Sequence, residues 1–504
     1  MNSNPDIPWS LGIDLGTGSC KSVVLACDGR ILGFGASRYG AQDDTQRWKE
    51  QNPEALLRGM TSAVKTSLAN AGVSTENCQG IGLGGAMHTV MAVDRIGRPL
   101  TGIVTWVDDR AVPQAQAVRA STTAHELYRH TGCPVHCIYP LYKIVWLREE
   151  RQGIFHEARH FISAKEYVYH CLTGEYAVDP GIAAGTGLLD VDGLDWNEPA
   201  LALAGIEANR LSPLRPSTYS RPIIDADLSD QMGLDLGTKV VLGSSDAANS
   251  SMGAGALHAN QATCMVGSSG AYRIISRQVI LDEQARSWCY AIDEQHWLVG
   301  GAINSGGLAL TWLCDRANQA QAPLSGASSL FAEDLTALAS QVNPGAEGLI
   351  CLPFFAGERS PQWNMNAKSV FWGLSLDHDL RHMARAVLEG VAFRIRSVKE
   401  VMDENGISIE DVRASGGFTQ SRLWLQIMAD VLDQPLTIPA WGETSSLGAA
   451  FWVLLSNGSV RQMEDLAQWV NLGETVAPNA EDAALYDEIY LLYKKIYNAM
   501  KNQF

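Results

Sequence analysis

Leu11-Gly-Ile-Asp-Leu-Gly-Thr-Gly-Ser-Cys-Lys-Ser-Val-Val-Leu-Ala-Cys-Asp-Gly-Arg-Ile-Leu-Gly-Phe-Gly35 reads as three strands folded on two tight turns. The apolar run ending at Leu15 meets the small residues Gly16-Thr17-Gly18, a second run follows, and Asp28-Gly29 turns the chain into a third. Asp-Gly between apolar runs is a strong hairpin signal, because glycine supplies the positive φ of tight hairpin turns. Working outward, Leu57, Met60, Val64 and Leu68 fall at spacings of three and four and predict a helix with these residues on one face. Gln79 to Val93 then returns to strand, and Asp94-Arg-Ile-Gly97 turns again.

A related pattern recurs halfway along, in Gln261-Ala-Thr-Cys-Met-Val-Gly-Ser-Ser-Gly-Ala-Tyr-Arg-Ile-Ile275. Each segment places small residues at a hairpin bend, Gly16-Thr17-Gly18 in one and Gly267-Ser268-Ser269-Gly270 in the other. Two similar domains, each giving one phosphate-facing hairpin, are the expectation. At 504 residues the chain is too long for one core, since cores stop growing near ~250–300 residues. The small residues from Ser250 to Asn260 suggest a boundary, dividing the chain into 1–256 and 257–504. The second half alternates strand-like pieces with helices, as in Arg422 to Leu432, and the class is α/β with mixed sheets. Tyr486, Tyr490, Tyr493 and Tyr497 recur at helical spacing in the last helix, which predicts ordinary packing with hydroxyls at the solvent edge.

The formal charge of −17 argues against a nucleic-acid partner, which needs clustered Lys and Arg. No apolar run reaches the ~18 residues of a membrane span, and the first residues lack the basic and apolar regions of a signal peptide. Ten cysteines scattered through a long chain read as reduced thiols, so the cytoplasm is the expected compartment.

Several motifs fail. Gly80-Ile-Gly-Leu-Gly-Gly85 fits GxGxxG, but a dinucleotide site needs a helix directly after it, and Thr89-Val-Met-Ala-Val93 reads as strand. Gly16-Thr-Gly-Ser-Cys-Lys-Ser22 has Cys20 where a P-loop demands glycine. His125 and His130 are five apart and do not share a helix face, and Cys133-Pro-Val-His-Cys137 has no second ligand pair nearby to complete a zinc site.

What survives is suited to a phosphate. Asp14-Leu-Gly-Thr-Gly-Ser-Cys-Lys21 offers glycine N–H groups, the Thr17 and Ser19 hydroxyls and the Lys21 charge, with Asp14 placed to hold Mg²⁺ through water. By itself this is better explained by a tight hairpin turn. The second bend, and Ser415-Gly-Gly-Phe-Thr-Gln-Ser421 between a strand and a helix, shift the balance toward a nucleotide. Asp246 ends the apolar run Val240-Val-Leu-Gly-Ser-Ser and enters a small-residue loop. It is either a helix N-cap or the base that takes the proton of an attacking hydroxyl, the one base that phosphoryl transfer asks for.

Taken in order along the chain, these pieces resemble the FGGY carbohydrate kinases, relatives of the actin-like ATPases. The resemblance runs through Asp14-x-Gly-Thr-x-Ser-x-Lys21, Ala86-Met-His-Thr89, Thr105-Trp-Val-Asp-Asp-Arg110, Pro140-x-x-Lys-x-x-Trp-Leu147, Ala183-Ala-Gly-Thr-Gly-Leu188, Asp246, Gly267-x-Ser-Gly270, Gly357-Glu-Arg-x-Pro361, Arg385-Ala-Val-Leu-Glu-Gly390 and Gly416-Gly417. It implies two ribonuclease H-like domains about a cleft, ATP and Mg²⁺, and a small sugar or sugar acid as acceptor.

It further implies Asp246 as general base and Asp14 as the Mg²⁺-associated carboxylate. Gly16, Thr17, Gly18, Ser19 and Lys21 would face the β/γ-phosphates, with Gly267, Ser268, Ser269 and Gly270 closing from the other domain. Gly416, Gly417 and Ser421 would hold the adenosine. Met87, His88, Trp106, Asp108 and Asp246 would line the sugar pocket. Glycerol kinases carry Arg-Glu where this chain has Met87-His88, and Gln where it has Ala247, which disfavours glycerol. Met-His is shared by xylulokinases and gluconokinases; Thr105 to Arg110, Pro134-Val-His136, Lys165-Glu-Tyr167 and Pro353 to Pro361 look more like gluconokinases. A carboxylate substrate wants a cation, for which Lys143, Lys165 and Arg359 are candidates. The rival expectations are a xylulokinase or another pentulose or polyol kinase, a non-catalytic sensor that kept the fold, and an actin-like or chaperone ATPase. The oligomeric state stays open, a homodimer included.

Overall fold

The computed structural model describes residues 7–39, 49–321 and 329–504. Its first sheet has six strands, in the spatial order Ile31–Arg38, Ser19–Ala26, Trp9–Leu15, Cys78–Gly85, Lys239–Ser245 and Ser220–Pro222. Trp9–Leu15 is antiparallel to Ser19–Ala26 and parallel to Cys78–Gly85, which is parallel to Lys239–Ser245. The second sheet repeats that core: Trp297–Ile303, Gly270–Ser276, Gln261–Val266, Asp411–Ser415 and Leu436–Pro439 follow one another with the same sense of pairing. Trp288–Ala291 and Leu472–Val476 extend its two edges.

Local chemistry explains the elements. The helix Pro53–Ala71 starts where Asn52 accepts hydrogen bonds from the Glu54 and Ala55 N–H groups and Pro53 presets φ, and it stops at Gly72 in the left-handed region, φ 61°. Its buried face is Leu56, Gly59, Met60, Ala63, Val64 and Ser67. Leu57 and Leu68, expected on that face, sit half-buried at its margins. Gly33 and Gly35 let this helix lie directly on the sheet, since a Cβ on either would stand 2.3 Å or less from a helix carbonyl.

The Gly80–Gly85 run lies inside the strand Cys78–Gly85. A Cβ on Gly82 would meet the Ala449 carbonyl at 1.9 Å, and one on Gly12 the Ser446 carbonyl at 1.9 Å. The helix Thr444–Ser456, from the second half of the chain, therefore packs against the first sheet. It crosses the helix Asp246–Gly253 just as closely, for a Cβ on Gly448 would stand 2.0 Å from the Asn249 carbonyl. Trp452 donates from its indole to Asn249 Oδ1 at 2.8 Å, fixing the crossing.

One apolar cluster lies around the first sheet and another around the second, and a third joins residues of both halves, among them Met87, Ala248, Trp288, Tyr290 and Trp452. The tyrosines of the helix Ala480–Met500 are packed as expected, but their hydroxyls do not reach solvent. Tyr486 donates to Glu389, Tyr490 to Glu400 and Tyr497 to Glu358. The buried carboxylates of Glu389 and Glu358 need such donors, which draws Tyr486 and Tyr497 inward, while the Tyr493 hydroxyl is buried with no hydrogen-bond partner. No helix among the described residues is long and apolar enough to cross a membrane.

Candidate active site

Asp246 opens the helix Asp246–Gly253 at the end of a central strand of the first sheet, and Ser245 rather than Asp246 is the N-cap, accepting from the Ala248 N–H at 3.2 Å. Released from capping, the Asp246 carboxylate takes the Ala247 N–H at 2.8 Å and the Met87 N–H at 3.4 Å, both on Oδ1. Burial raises its pKa, against which the Arg273 charge and those two N–H groups pull down.

It lines a cavity of about 140 Å³ between the sheets, with Met87, His88, Trp106 and Tyr139 from the first half and Ser269, Gly270, Ala271, Arg273, Tyr290 and Arg359 from the second. The cavity adjoins a larger cleft of about 910 Å³, with which it shares Trp106, Ile138 and Arg359.

Asp14 ends the neighbouring strand Trp9–Leu15. Burial first, then the Asp246 charge, push its carboxyl up to about 7. Its Oδ1 is buried with no hydrogen-bond partner. An orphaned, charge-crowded carboxylate oxygen suits a divalent cation. Among the described residues no group of three or more His, Cys, Asp or Glu forms a chelating cluster. One carboxylate with water and phosphate oxygens completing the shell is how Mg²⁺ is usually bound, and the residues present fit that ion.

The first bend is closed by the Gly16 N–H donating to the Ser19 carbonyl at 3.1 Å. Thr17 Oγ1 accepts from the Trp106 indole at 3.0 Å, so this bend touches the cavity wall directly. Lys21 Nζ stands 2.5 Å from Glu443 Oε2, at the start of the helix Thr444–Ser456. The lysine expected to face phosphate is thus held by a carboxylate 422 residues away, which no local pattern could have flagged.

The second bend is built likewise, with Gly267 N–H on the Ser269 carbonyl at 2.9 Å. The N–H groups of Gly306 and Gly307, at the head of the helix Gly307–Gln321, bond back to the Ser268 and Gly267 carbonyls. Gly416, at φ 95°, abuts Val266, whose carbonyl a Cβ would meet at 2.5 Å. Ser421 caps the helix Arg422–Leu432 by accepting from the Trp424 N–H. The hydroxyls of Ser305 and Ser415 are buried beside this bend without partners. Sequence reasoning passed over Ser305, although Asn304-Ser-Gly-Gly307 is small residues between strand and helix, the signature that drew attention to Ser415–Ser421.

In the sugar pocket, His88 has φ 63° and its Nδ1 donates to the Gly185 carbonyl at 2.7 Å. Burial pushes the ring down to about 3, so it is neutral with the proton on Nδ1, and Nε2 is a bare acceptor. The ring stands edge-on to Tyr139 and Tyr290, whose hydroxyls meet at 2.8 Å. Trp106 carries the Arg359 guanidinium 5.2 Å from its ring centre.

Asp108 departs from expectation. Its Oδ1 accepts from the Arg110 N–H and Nε, and its Oδ2 from Arg110 Nη2 and the Lys49 N–H. Those four bonds fill its lone pairs, leaving none for a sugar hydroxyl, and it lines the adjoining cleft rather than the Asp246 cavity.

Of the candidate cations, Lys143 donates to the His88 and Thr105 carbonyls, and Lys165 pairs with Asp179 at 2.5 Å and donates to the Leu242 and Ser244 carbonyls. Both are structural props. Arg359 reaches the cavity, with one bond to the Ile303 carbonyl at 3.0 Å and a buried Nε lacking a partner. Arg273, missed by the sequence reading, reaches it too. The available signal was a lone arginine in the apolar strand Gly270–Ser276.

Two sheets with one strand order, a cleft between them and a carboxylate at the cleft end of a strand define the ribonuclease H-like architecture of the actin-like and sugar-kinase ATPases. The N-terminal domain of the FGGY family of carbohydrate kinases matches residues 9–253 and its C-terminal domain residues 262–455, and the chain belongs to that family. It is accordingly a carbohydrate kinase, a phosphotransferase that uses ATP. A gluconokinase of Bacillus subtilis is 32% identical over 98% of this chain and 97% of its own. A xylulose kinase of Escherichia coli is 28% identical over 97% of this chain and 99% of its own. Among solved structures, a gluconate kinase and a xylulose kinase of Lactobacillus acidophilus each superpose with a TM-score of 0.89 at 28% identity, over 98% of this chain and 98% and 99% of theirs.

Proposed function

We propose that the protein transfers the γ-phosphoryl group of ATP to the terminal hydroxyl of D-gluconate, giving 6-phosphogluconate and ADP. The observation that carries this reading is the Arg359 guanidinium on the wall of the cavity that holds Asp246, while Lys143 and Lys165 are committed elsewhere. A cation facing the acceptor site suits a sugar acid better than a neutral ketose. The gluconokinase relatives point the same way.

In this reading Asp246 takes the hydroxyl proton as the oxygen attacks the γ-phosphorus and the bond to ADP breaks. Its hydrogen bonds to Ala247 and Met87 hold the carboxylate in place. Gly16, Thr17, Gly18, Ser19 and Lys21 face the β/γ-phosphates, Gly267, Ser268, Ser269 and Gly270 close over them, and Gly416, Gly417 and Ser421 hold the adenosine. Asp14 is the residue to carry Mg²⁺ through water, an ion that would neutralise charge on the transferring phosphate.

Met87, His88 and Trp106 shape the sugar site, His88 Nε2 accepting from a hydroxyl, and Asp108 acts by fixing Arg110 and the Lys49 backbone. Residues 1–256 then supply mainly the sugar site and 257–504 mainly the nucleotide site. Closure of the cleft excludes water, which would otherwise take the phosphoryl group. The second reading, a xylulokinase, draws on the equal structural likeness to a xylulose kinase.

ADP release measured with gluconate, xylulose, ribulose and glycerol tests both. The highest kcat/KM is expected for gluconate. A preference for xylulose replaces the substrate, and release that no sugar stimulates replaces the enzyme with a sensor.

A further inference from the structure

The second sheet presents the cavity with a wall of small and aromatic residues, and one charged side chain stands in it. Register places Met265, Ala271 and Ala302 in one row across the strands, and Thr263, Arg273, Gly300 and Trp288 in the next. Gly300, directly opposite Arg273, has no side chain, and a Cβ there would stand 2.8 Å from the Arg273 Cβ. The missing side chain clears the space into which the arginine extends between Thr263 and Trp288.

Arg273 is 4% exposed. Among the described residues its guanidinium has no ion pair, and its buried Nε has no hydrogen-bond partner. An unpaired buried guanidinium is costly, because its lost hydration is not replaced. The fold keeps one here, facing the same cavity as Asp246, Arg359 and His88. Asp246 is the nearby opposite charge, and its own hydrogen bonds go to backbone N–H groups instead.

We propose that Arg273 is the specificity-determining residue that reads the carboxylate of the acceptor, with Arg359 flanking it, so that the pocket selects sugar acids over neutral sugars of the same size. This inference rests on the gluconate reading and names the residue behind it. A guanidinium offers a planar fork of N–H donors matched to a carboxylate, and the ligand would supply the partner the protein withholds. Arg359 adds a second positive charge but spends a donor on the Ile303 carbonyl.

The test uses the full chain with D-gluconate and D-gluconamide, its neutral near-isostere, as acceptors. Wild-type kcat/KM is expected to favour gluconate by at least about 100-fold, as truncating one partner of a buried charge pair typically costs. Arg273→Met should lower kcat/KM for gluconate by about 100- to 1000-fold and for gluconamide by less than about 10-fold, collapsing the preference. Arg273→Lys should recover part of it. Equal losses on both acceptors would overturn the proposal, leaving Arg273 to serve Asp246 or the phosphoryl group. An acid limb of kcat displaced to higher pH would then mark the service to Asp246, and a raised KM for ATP the service to the phosphoryl group. Should Arg273→Met not fold, the wild-type comparison decides, because gluconamide used as well as gluconate overturns the inference unaided. Wild-type protein inert toward gluconate but active on a neutral sugar overturns the substrate reading itself.

Discussion

Asp246 and His88 are buried titratable groups whose charged forms burial disfavours, but their neighbours act in opposite senses. Burial raises the Asp246 pKa and the Arg273 charge partly offsets that, whereas at His88 the nearby cations add to the lowering by burial. Asp246→Ala should lower kcat by about 10²–10⁴ while leaving thermal stability within a few degrees, the span expected of a general base. Near-normal turnover would remove Asp246 from that role. His88→Asn tolerates the positive φ but withdraws the acceptor, since asparagine visits the left-handed region more readily than most residues. KM for gluconate should rise about 10- to 100-fold, as loss of one buried hydrogen bond implies. Because the ring titrates at about 3, the pH profile of kcat/KM should show no inflection near 6.5 that disappears in His88→Asn. At this scale the sequence was legible wherever a residue's neighbours in the chain are also its neighbours in space. The bends at Gly16–Ser19 and Gly267–Gly270 are of that kind. Glu443 on Lys21, Arg273 facing Asp246 and the occupied lone pairs of Asp108 are contacts between distant segments, and composition and spacing are silent about those.

The elements that place these residues are held by close backbone approach and by buried ions. Gly82→Ala would force a methyl against the Ala449 carbonyl, separating sheet and helix. Overpacking of this kind costs about 1–3 kcal/mol or more, readable as a lower denaturation midpoint. The glycine run Gly80–Gly85, which fits a nucleotide fingerprint in sequence, is explained by this packing. Gly82 is small because the helix Thr444–Ser456 lies on it, Gly84 because Asn249 packs there and Gly85 because Lys165 does. Lys165 and Asp179 form an ion pair with no side-chain exposure, bracing the carbonyls of Leu242 and Ser244 just before Asp246. Lys165→Met should destabilise the protein by about 3–5 kcal/mol by stranding the carboxylate. Adding Asp179→Asn should return much of that loss, because the amide oxygen can still cap Ile182 while the unpaired charge is gone. A double variant no more stable than the single one would show that the pair's charge is not what the site depends on.

For the whole molecule, the repeated hairpin and the alternation of strands and helices were readable in advance, since each depends on local periodicity, whereas the strand order rests on pairings between distant segments. The interlocking of the halves was not readable either. Contacts such as Tyr139 with Tyr290, Cys289 N–H with the Gly132 carbonyl and Asp282 N–H with the Tyr128 hydroxyl tie the second sheet's edge to the helices of the first half. Sugar and a non-hydrolysable ATP analogue together should therefore raise the melting temperature more than the sum of their separate effects, if both walls close on one cavity. Saturation at 100 times Kd corresponds to about 2.7 kcal/mol for each ligand alone. Strictly additive shifts would indicate two uncoupled sites.

The helix Thr444–Ser456 has one more implication, for how the chain is made. Until it leaves the ribosome, the glycine-lined face of the first sheet at Gly12 and Gly82 has nothing to rest against. The earlier-synthesised half must wait, incompletely covered, through some two hundred further residues, a delay that invites chaperone capture or self-association. A gene cut at residue 256 should yield an amino-terminal product that binds hydrophobic dyes and is readily cleaved by protease, and that recovers order when the missing portion is supplied in trans.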